Sequence, residues 1–225
     1  MPVHPLASPR PAGRLEVIAG PMFSGKSEEL MRRVRRAKIA GVKVLVVSHS
    51  LDTGSDLSAI TSHIGVNIPS VPVGDVESLA EVARDEDWGL VAIDEAQFFG
   101  PDLVPVVLDL MTRGTTVIVE GLCVTFDGGP FEPMPTFMAG AEDVLKLTAV
   151  CTICGRDAVF HQRVGSPART NGQMATNGQM ATNGQIGDAV DQTPFEPRAT
   201  DIDASHIGGL ESYVARCREH FAPPH

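Results

Sequence analysis

One eight-residue stretch combines two glycines, a lysine and a serine at the spacing of a phosphate-binding loop. It reads Gly20, Pro21, Met22, Phe23, Ser24, Gly25, Lys26 and Ser27. In such a loop the glycines let backbone N–H groups point at phosphate oxygens, the lysine reaches the β- and γ-phosphates, and the serine hydroxyl holds Mg²⁺. The apolar run Leu15–Ala19 and a leucine- and arginine-rich segment flank it as the required strand and helix. The stretch therefore predicts a nucleoside triphosphate site rather than a chance glycine-rich turn.

Two adjacent acidic residues, Asp94 and Glu95, follow the apolar run Trp88–Ile93, which is typical of a buried strand. In a triphosphate site, an aspartate at the carboxyl end of such a strand orients Mg²⁺ through water. A neighbouring glutamate can act as a general base toward an attacking hydroxyl group. The alternative is an ordinary acidic start to the next helix. Beside a phosphate-binding loop, the acidic pair indicates phosphoryl transfer.

Two short motifs near the end of the chain carry cysteine and histidine at the spacing of metal-binding turns. Cys151 and Cys154 form a C-x-x-C pair, and Cys217 and His220 form a C-x-x-H pair. Three thiolates and one imidazole make a closed tetrahedral zinc set, although the two pairs lie further apart than in most zinc ribbons. The alternatives are a thioredoxin-type redox pair and unrelated cysteines, and Gly155 favours a metal-binding turn. We predict a Zn²⁺ site that adds on the order of 10 kcal/mol to folding.

The elements that must position these motifs alternate between strands and helices. Strands are predicted at Arg14–Ala19, Lys43–Ser48, Gly89–Ile93, Thr115–Glu120 and Asp143–Leu147. Helices are predicted at Lys26–Ala40, Val76–Arg84, Pro101–Thr112 and Pro135–Gly140, with Gly41 and Gly114 at helix ends. This alternation predicts an α/β fold whose mostly parallel sheet carries the nucleotide site at the carboxyl ends of its strands. The segment Asp52–Pro72 is rich in Gly, Ser, Thr and Asp, and no element is assigned within it.

Length, charge and composition limit the function classes. The chain has 225 residues, of which 43% are hydrophobic, and a formal charge of −10. An acidic chain disfavours a nucleic-acid partner, which requires a basic surface. No apolar run approaches the roughly 20 residues of a membrane span, and Met1–Gly13 lacks the apolar core of a signal peptide. We therefore expect a cytoplasmic protein without a membrane partner.

Three regions follow from these patterns. We predict a disordered tail over 1–13, a P-loop nucleotide-binding α/β domain over 14–148, and a zinc-binding domain over 149–225. The third region contains a repeat: Thr170–Ala175 recurs as Thr176–Ala181 and, with changes, as Thr182–Gly187. These units carry no charged or aromatic residue that could build a core, so an insertion at about 168–200 is expected to be disordered.

Four segments together resemble the thymidine kinase type II family. They are GPMFSGKS at 20–27, IDEAQFF at 93–99, KLTAVCTIC at 146–154 and IGGLESYVARC at 207–217. The resemblance implies ATP-dependent transfer of the γ-phosphate to the 5′-hydroxyl group of thymidine or deoxyuridine. It also implies a RecA-like P-loop core, a small zinc domain that carries a lasso loop over the base, a homotetramer, and feedback inhibition by dTTP.

The same resemblance assigns roles to individual residues. Lys26 and Ser27 match the residues for ATP and Mg²⁺, Asp94 matches the magnesium-orienting acid, and Glu95 matches the catalytic base. Gln97 is grouped with the ATP and magnesium residues. The thymine pocket is matched by Met22, Phe98, Leu122, Phe126 and Phe131, and the end of the lasso by Ile207, Gly208, Gly209 and Tyr213. The zinc ligands are matched by Cys151, Cys154, Cys217 and His220.

Two other functions remain open at this point. The sequence from Asp94 to Gln97 also matches a helicase-type DEAx box, which would make the protein an ATPase stimulated by nucleic acid. Such motors use two nucleotide domains, whereas this chain carries one phosphate-binding loop and is acidic. The second alternative is a non-catalytic zinc- and nucleotide-binding relative of a kinase, although the lysine, serine and acidic pair are all present.

Overall fold

The computed structural model describes residues 12–51, 59–61, 67–164 and 213–223. Several sequence expectations therefore lie outside the described residues. They are the first eleven residues of the tail, the repeat insertion at about 168–200, and Ile207, Gly208 and Gly209.

Twelve strands are present within the described residues. They are β1 Leu15–Ala19, β2 Val44–His49, β3 Ala59–Thr61, β4 Asn67–Pro69, β5 Val71–Val73, β6 Leu90–Ile93, β7 Thr116–Gly121, β8 Asp143–Lys146, β9 Ala149–Val150, β10 Asp157–Ala158, β11 Phe160–Arg163 and β12 Tyr213–Arg216. Helices are α1 Lys26–Ile39, α2 Val76–Arg84, α3 Leu103–Thr112 and α4 Met134–Gly140, with a 3₁₀ helix at Ala96–Phe99.

Six strands form one sheet in the order β5-β2-β6-β7-β1-β8. Every pairing within it is parallel. The predicted α/β class, with a P-loop core and a mostly parallel sheet, is confirmed. Because parallel strands end at a common edge, the residues after β1, β6 and β7 come together there.

Helices cover both faces of the sheet because successive strand residues point to opposite sides. On one face, α1 packs Leu30, Met31 and Val34 against strand residues such as Ile18 and Ile118. On the other face, α2, α3 and α4 pack against the alternate strand residues, which belong to a larger apolar cluster. The sheet is therefore the central layer of three, and its strands are buried on both sides.

Capping residues near in sequence determine several of the helix ends. Asp75 caps α2 by accepting a 2.7 Å hydrogen bond from the backbone N–H of Ser78. Gly41 and Gly114 follow α1 and α3 with φ of 75° and 88°, the left-handed conformation expected after a helix. The observed ends of the predicted elements coincide with the predicted ends or differ by one residue, except that α3 begins at Leu103 rather than at Pro101.

Seven of the described strands were not predicted: β9 to β12, which follow β8, and three short strands between β2 and α2. β3 and β4 form an antiparallel hairpin, and β5 is an edge strand of the main sheet. Each has three residues, and β4 and β5 contain Pro69 and Pro72. Proline is tolerated at a sheet edge because no neighbour there requires its missing N–H group, so a sequence pattern that treats proline as a break overlooks such strands.

A small second unit follows β8. It consists of the antiparallel pairs β9–β10 and β11–β12. Among the residues that the structure describes, its apolar cluster consists of Ala149, Ala158 and Ala215 with two cysteines, Cys151 and Cys217. Such a core is too small to stabilise a unit by burial alone. Within the described residues, none of the helices is long and apolar enough to cross a membrane.

Candidate active site and metal centre

The predicted phosphate-binding loop connects β1 to α1. Phe23 and Gly25 adopt left-handed conformations with φ of 67° and 82°, and the Ser24 hydroxyl donates a 2.8 Å hydrogen bond to the carbonyl oxygen of Pro21. A Cβ atom at Gly20 would lie 2.6 Å from Ser24 Oγ and 2.9 Å from Leu147 O. The loop is thus a tight turn that needs glycine at both ends, and it delivers the amino end of α1, where anions bind favourably.

Lys26 begins α1 and is buried, with 7% of the residue exposed. Its Nζ atom donates a 3.3 Å hydrogen bond to Pro21 O and lies 3.4 Å from Glu120 Oε1. Burial acts to lower the pKa of Lys26, but nearby carboxylates outweigh it and raise the pKa above its ordinary value. Those carboxylates belong, in order of effect, to Glu120, Glu95 and Asp94. The ammonium group is therefore charged and surrounded by acids.

The predicted acidic pair follows β6 at the same edge of the sheet. Asp94 is 2% exposed, and its backbone N–H donates to Val47 O at 2.9 Å. Glu95 has φ 49° and ψ 45°, a left-handed conformation that starts the 3₁₀ helix. Gln97 Nε2 donates to Glu95 Oε2, and Gln97 Oε1 accepts a 2.9 Å hydrogen bond from the N–H of Leu122. Gln97 therefore ties the glutamate to the segment after β7.

Glu120, near the end of β7, is a site residue that sequence reasoning missed. It is fully buried, and its Oε2 atom accepts a 3.2 Å hydrogen bond from the backbone N–H of Glu95 while Oε1 faces Lys26. One carboxylate thus joins the phosphate-loop lysine to the acidic pair. The available signal was a glutamate within the otherwise apolar run of β7, directly before Gly121.

The predicted metal ligands converge. Cys151, Cys154, Cys217 and His220 offer three sulfur atoms and one ring nitrogen that all lie within 4.8 Å of one another. The Sγ atoms of Cys154 and Cys217 are 3.7 Å apart, and Cys217 Sγ is 3.2 Å from His220 Nδ1. Sulfur ligands at about 2.3 Å from a tetrahedral Zn²⁺ are separated by about 3.8 Å. The donor set and its spacing therefore fit zinc.

The turns around these ligands favour the thiolate form of Cys151 and Cys154, whereas burial raises the pKa of Cys217. Burial opposes ionisation of Cys151, but backbone hydrogen bonds, the largest at Cys217, lower its pKa to about 5. Arg156 donates from Nε to Cys154 Sγ at 3.5 Å and lowers the pKa of that thiol. Arg156 is itself held by two hydrogen bonds to the Glu219 carboxylate. The thiolate is the form of cysteine that binds a metal.

One chain thus carries a phosphate-binding loop, an acidic pair at a nearby strand end and a Cys₃His group. Its residues 13–221 match the family model described as thymidine kinase. The chain belongs to the thymidine kinase family.

Two curated members of this family match almost the whole chain. The thymidine kinase of Coprothermobacter proteolyticus is 41% identical over 214 residues, which cover 94% of this chain and 92% of that protein. The thymidine kinase of Deinococcus deserti is 41% identical over 226 residues, which cover 96% and 97%. Among solved structures, the genome packaging NTPase B204 of Sulfolobus turreted icosahedral virus 2 with ATP-gammaS covers 60% of this chain and 74% of its own at 15% identity, with a TM-score of 0.42. That similarity is too low to bear on function.

The residues that the thymidine kinase resemblance assigns to a base pocket lie after three neighbouring strands. Met22 is in the loop after β1, Phe98 is in the 3₁₀ helix after β6, and Leu122, Phe126 and Phe131 follow β7. Leu122 and Phe131 are buried and the other three are half-buried. Phe126 lies in a turn closed by a bridge between Val124 and Pro130. Because these five residues follow neighbouring strands at one edge of the sheet, they remain candidates for an apolar wall beside Glu95.

The remaining base-contact candidate in the described part of this kinase, Tyr213, begins β12. It is 2% exposed and packs edge-on against the ring of His161, with 5.6 Å between ring centres. Arg163 of β11 is its partner in the strand pair. Tyr213 therefore reaches the second unit's interior, and its contact with a base stays a prediction.

His49, at the end of β2, is a second residue that sequence reasoning missed. Its ring centre lies 5.8 Å from that of Phe98 and 4.5 Å from that of Phe99. Its Nδ1 atom accepts a 3.0 Å hydrogen bond from the N–H of Leu51, and burial lowers its pKa. A histidine at the end of an apolar strand gave no signal of these ring contacts, since the partners are distant in sequence.

Two aromatic side chains connect the metal centre to the loops of the core. Phe23, in the phosphate-binding loop, packs against the apolar cluster that contains Cys151 and Cys217. Phe221, which follows the ligand His220, lies over the turn after β7: a Cβ atom at Gly128 would lie 2.8 Å from its Cε1 atom. The metal centre therefore supports both the candidate ATP loop and the candidate base turn.

Proposed function

We propose that this protein is a thymidine kinase that transfers the γ-phosphate of ATP to the 5′-hydroxyl group of thymidine or deoxyuridine, giving dTMP from thymidine. One observation carries the proposal most directly. The buried Glu120 carboxylate contacts both Lys26 and the backbone of Glu95, and the Glu95 carboxylate is close enough to Lys26 to raise its pKa. Family membership supports the choice of nucleoside.

Binding of the triphosphate is assigned to the loop from Gly20 to Ser27. Its backbone N–H groups and the charged Lys26 would hold the phosphates at the amino end of α1. The Ser27 hydroxyl and the buried Asp94 carboxylate are the groups that would hold Mg²⁺, and oxygen ligands of this kind suit that ion. When bound, Mg²⁺ neutralises charge on the phosphate oxygens.

Proton removal is assigned to Glu95. The nucleoside 5′-oxygen attacks the γ-phosphorus in line, the new O–P bond forms as the bond to ADP breaks, and the hydroxyl proton passes to the Glu95 carboxylate. Gln97 donates to Glu95 Oε2 and fixes the orientation of that carboxylate. The base accepts one proton for each phosphoryl group transferred.

Recognition of the base is assigned to the apolar residues at the sheet edge. The proposed wall consists of Met22, Phe98, Leu122, Phe126 and Phe131, with Ile207, Gly208, Gly209 and Tyr213 supplied by the lasso. Apolar and aromatic groups bury a planar base and exclude water, which limits hydrolysis of ATP. The Cys₃His group would hold Zn²⁺ as a structural ion. We also propose that the protein is cytoplasmic, forms a homotetramer and is inhibited by dTTP. These three properties are supported by family membership alone.

A nucleoside panel tests this function. Purified protein with Mg²⁺ and labelled ATP is incubated with thymidine, deoxyuridine, deoxycytidine or no nucleoside. The expected result is labelled monophosphate from thymidine, with little hydrolysis in the blank. ATP hydrolysis stimulated by single-stranded DNA, without any nucleotide product, would assign the protein to nucleic-acid-stimulated ATPases. ATP binding without transfer to any nucleoside would make it a non-catalytic relative.

A further inference from the structure

Glu120 is a buried charge that the proposed mechanism does not use. No part of the residue is exposed, and it lies in a strand whose other residues are mostly apolar. A carboxylate in such a place is unfavourable unless charged or hydrogen-bonding partners compensate for the lost water. Here each oxygen has one partner: Oε1 is 3.4 Å from Lys26 Nζ, and Oε2 accepts from Glu95 N. Both partners belong to the two motifs that define the site.

We propose that Glu120 is a positioning residue that competes with the ATP phosphates for Lys26 and holds the backbone of the catalytic base Glu95. This role rests on the proposed phosphoryl transfer, because it assigns Lys26 to the triphosphate and Glu95 to the 5′-hydroxyl group. It makes β7 a third contributor to the chemistry, beside the loop after β1 and the acidic pair after β6.

The competition follows from charge. Lys26 is almost completely enclosed, and its ammonium group is directed at Pro21 O and Glu120 Oε1. A phosphate held by the loop must draw the same ammonium group toward itself while it approaches a carboxylate of like charge. In a site screened from water such repulsion is stronger than at the surface. Glu120 therefore weakens the binding of ATP.

The positioning follows from backbone geometry. Glu95 has a positive φ of 49°, which is uncommon for a residue with a side chain and costs energy unless neighbouring contacts hold it. Glu120 Oε2 accepts the N–H of this residue, while Gln97 holds its side chain. The hydrogen bond from β7 thus fixes where the 3₁₀ helix starts and where the Glu95 side chain points.

Two variants separate these effects. Glu120→Gln keeps an acceptor oxygen for the Glu95 N–H and removes the charge, so it should bind a non-hydrolysable ATP analogue about threefold tighter or more, and its kcat should exceed that of Glu120→Met by about fivefold or more. Glu120→Met has a similar length and neither charge nor acceptor. It should share the tighter binding, and its kcat should fall about tenfold or more. Glu77→Gln, which removes the same charge from an exposed part of α2, should behave as the parent.

Direct titration of the analogue, melting temperature and steady-state kinetics are measured for each protein. Analogue binding by Glu120→Gln that is unchanged or weaker overturns the competition. Equal kcat values for Glu120→Gln and Glu120→Met would overturn the proposed positioning of Glu95 by Glu120. A parallel loss of melting temperature and kcat in both variants would overturn it as well. Should Glu120→Met fail to fold, Glu120→Leu gives the same comparison and the analogue titration of Glu120→Gln still decides the competition. Absence of nucleoside phosphorylation by the parent protein defeats the proposed function, whereas the titration remains decisive for the charge of Glu120.

Discussion

Four charged side chains meet at the carboxyl edge of the sheet: Lys26, Asp94, Glu95 and Glu120. Motif spacing predicted three of them, because a phosphate loop and an acidic strand end each require particular residue types at particular positions. The fourth could not be predicted in this way. Glu120 gains its role only when β7 pairs between β6 and β1, and that placement is a property of the folded sheet.

Replacing the proposed base tests the chemistry at this scale. Glu95→Gln keeps the size of the side chain and removes its capacity to accept a proton, so kcat should fall by about 10²–10⁴ while the ATP analogue still binds. Kinetics with thymidine and a binding titration provide the two values. Turnover close to that of the parent would remove Glu95 from the role of base.

His49 makes stability depend on pH. Burial lowers the pKa of the folded His49, whereas the unfolded residue titrates near 6.5. As pH falls through that value, the unfolded chain takes up a proton that the folded chain does not, so stability decreases. His49→Asn keeps an acceptor for the Leu51 N–H and cannot titrate. Its melting temperature should decrease less between pH 7.5 and 5.5, and an equal decrease in both proteins would contradict this account.

At the scale of elements, the local sequence pattern was sufficient to predict the strands that are long and apolar. β1, β2, β6 and β7 are buried on both faces, so a continuous apolar run between turns predicted each of them. The 3₁₀ helix Ala96–Phe99 was not predictable, because its start depends on the positive φ of Glu95, which contacts distant in sequence maintain. The short strands β3, β4 and β5 escaped prediction because their pattern is brief and contains proline.

One added methyl group tests how tightly the turn between β1 and α1 is packed. In Gly20→Ala the added Cβ would meet Ser24 Oγ and Leu147 O at 2.6 and 2.9 Å. The loop must open, which should cost about 1–3 kcal/mol of stability and weaken binding of the ATP analogue. Gly140→Ala is the matched control, because no heavy atom lies within 4 Å of a Cβ atom at that position. Equal melting temperatures and affinities for the two variants would contradict the steric account.

At the scale of the whole molecule, the candidate metal centre packs against the loops at the carboxyl edge of the sheet. Phe23 reaches from the phosphate-binding loop into the cluster around Cys151 and Cys217, and Phe221 packs on Gly128 beyond β7. The core of the second unit is small, so its shape depends on the four ligands being drawn together. We therefore expect distortion of that unit to affect the loops that are proposed to bind substrates.

Metal removal measures this connection. A zinc-selective chelator, with Mg²⁺ kept in excess, should lower the melting temperature and also weaken binding of the ATP analogue, by about fivefold or more. In Phe23→Ala the analogue affinity should no longer change with the chelator, and Phe23→Leu, which keeps an apolar side chain, should restore the dependence. Analogue binding by the parent that is indifferent to the chelator would show that the two regions act separately.

The pairing of β11 with β12 brings Arg163 opposite Tyr213, although 49 positions separate them in the chain. The two ends of the intervening stretch are thus held side by side, so a change in its length need not move the four candidate metal ligands, and each doubling costs only about 0.6 kcal/mol in closure entropy. Deletion or replacement of this stretch should spare the folded body. A protease cut within it should leave both halves associated, since the strand pair and four ligands span the break.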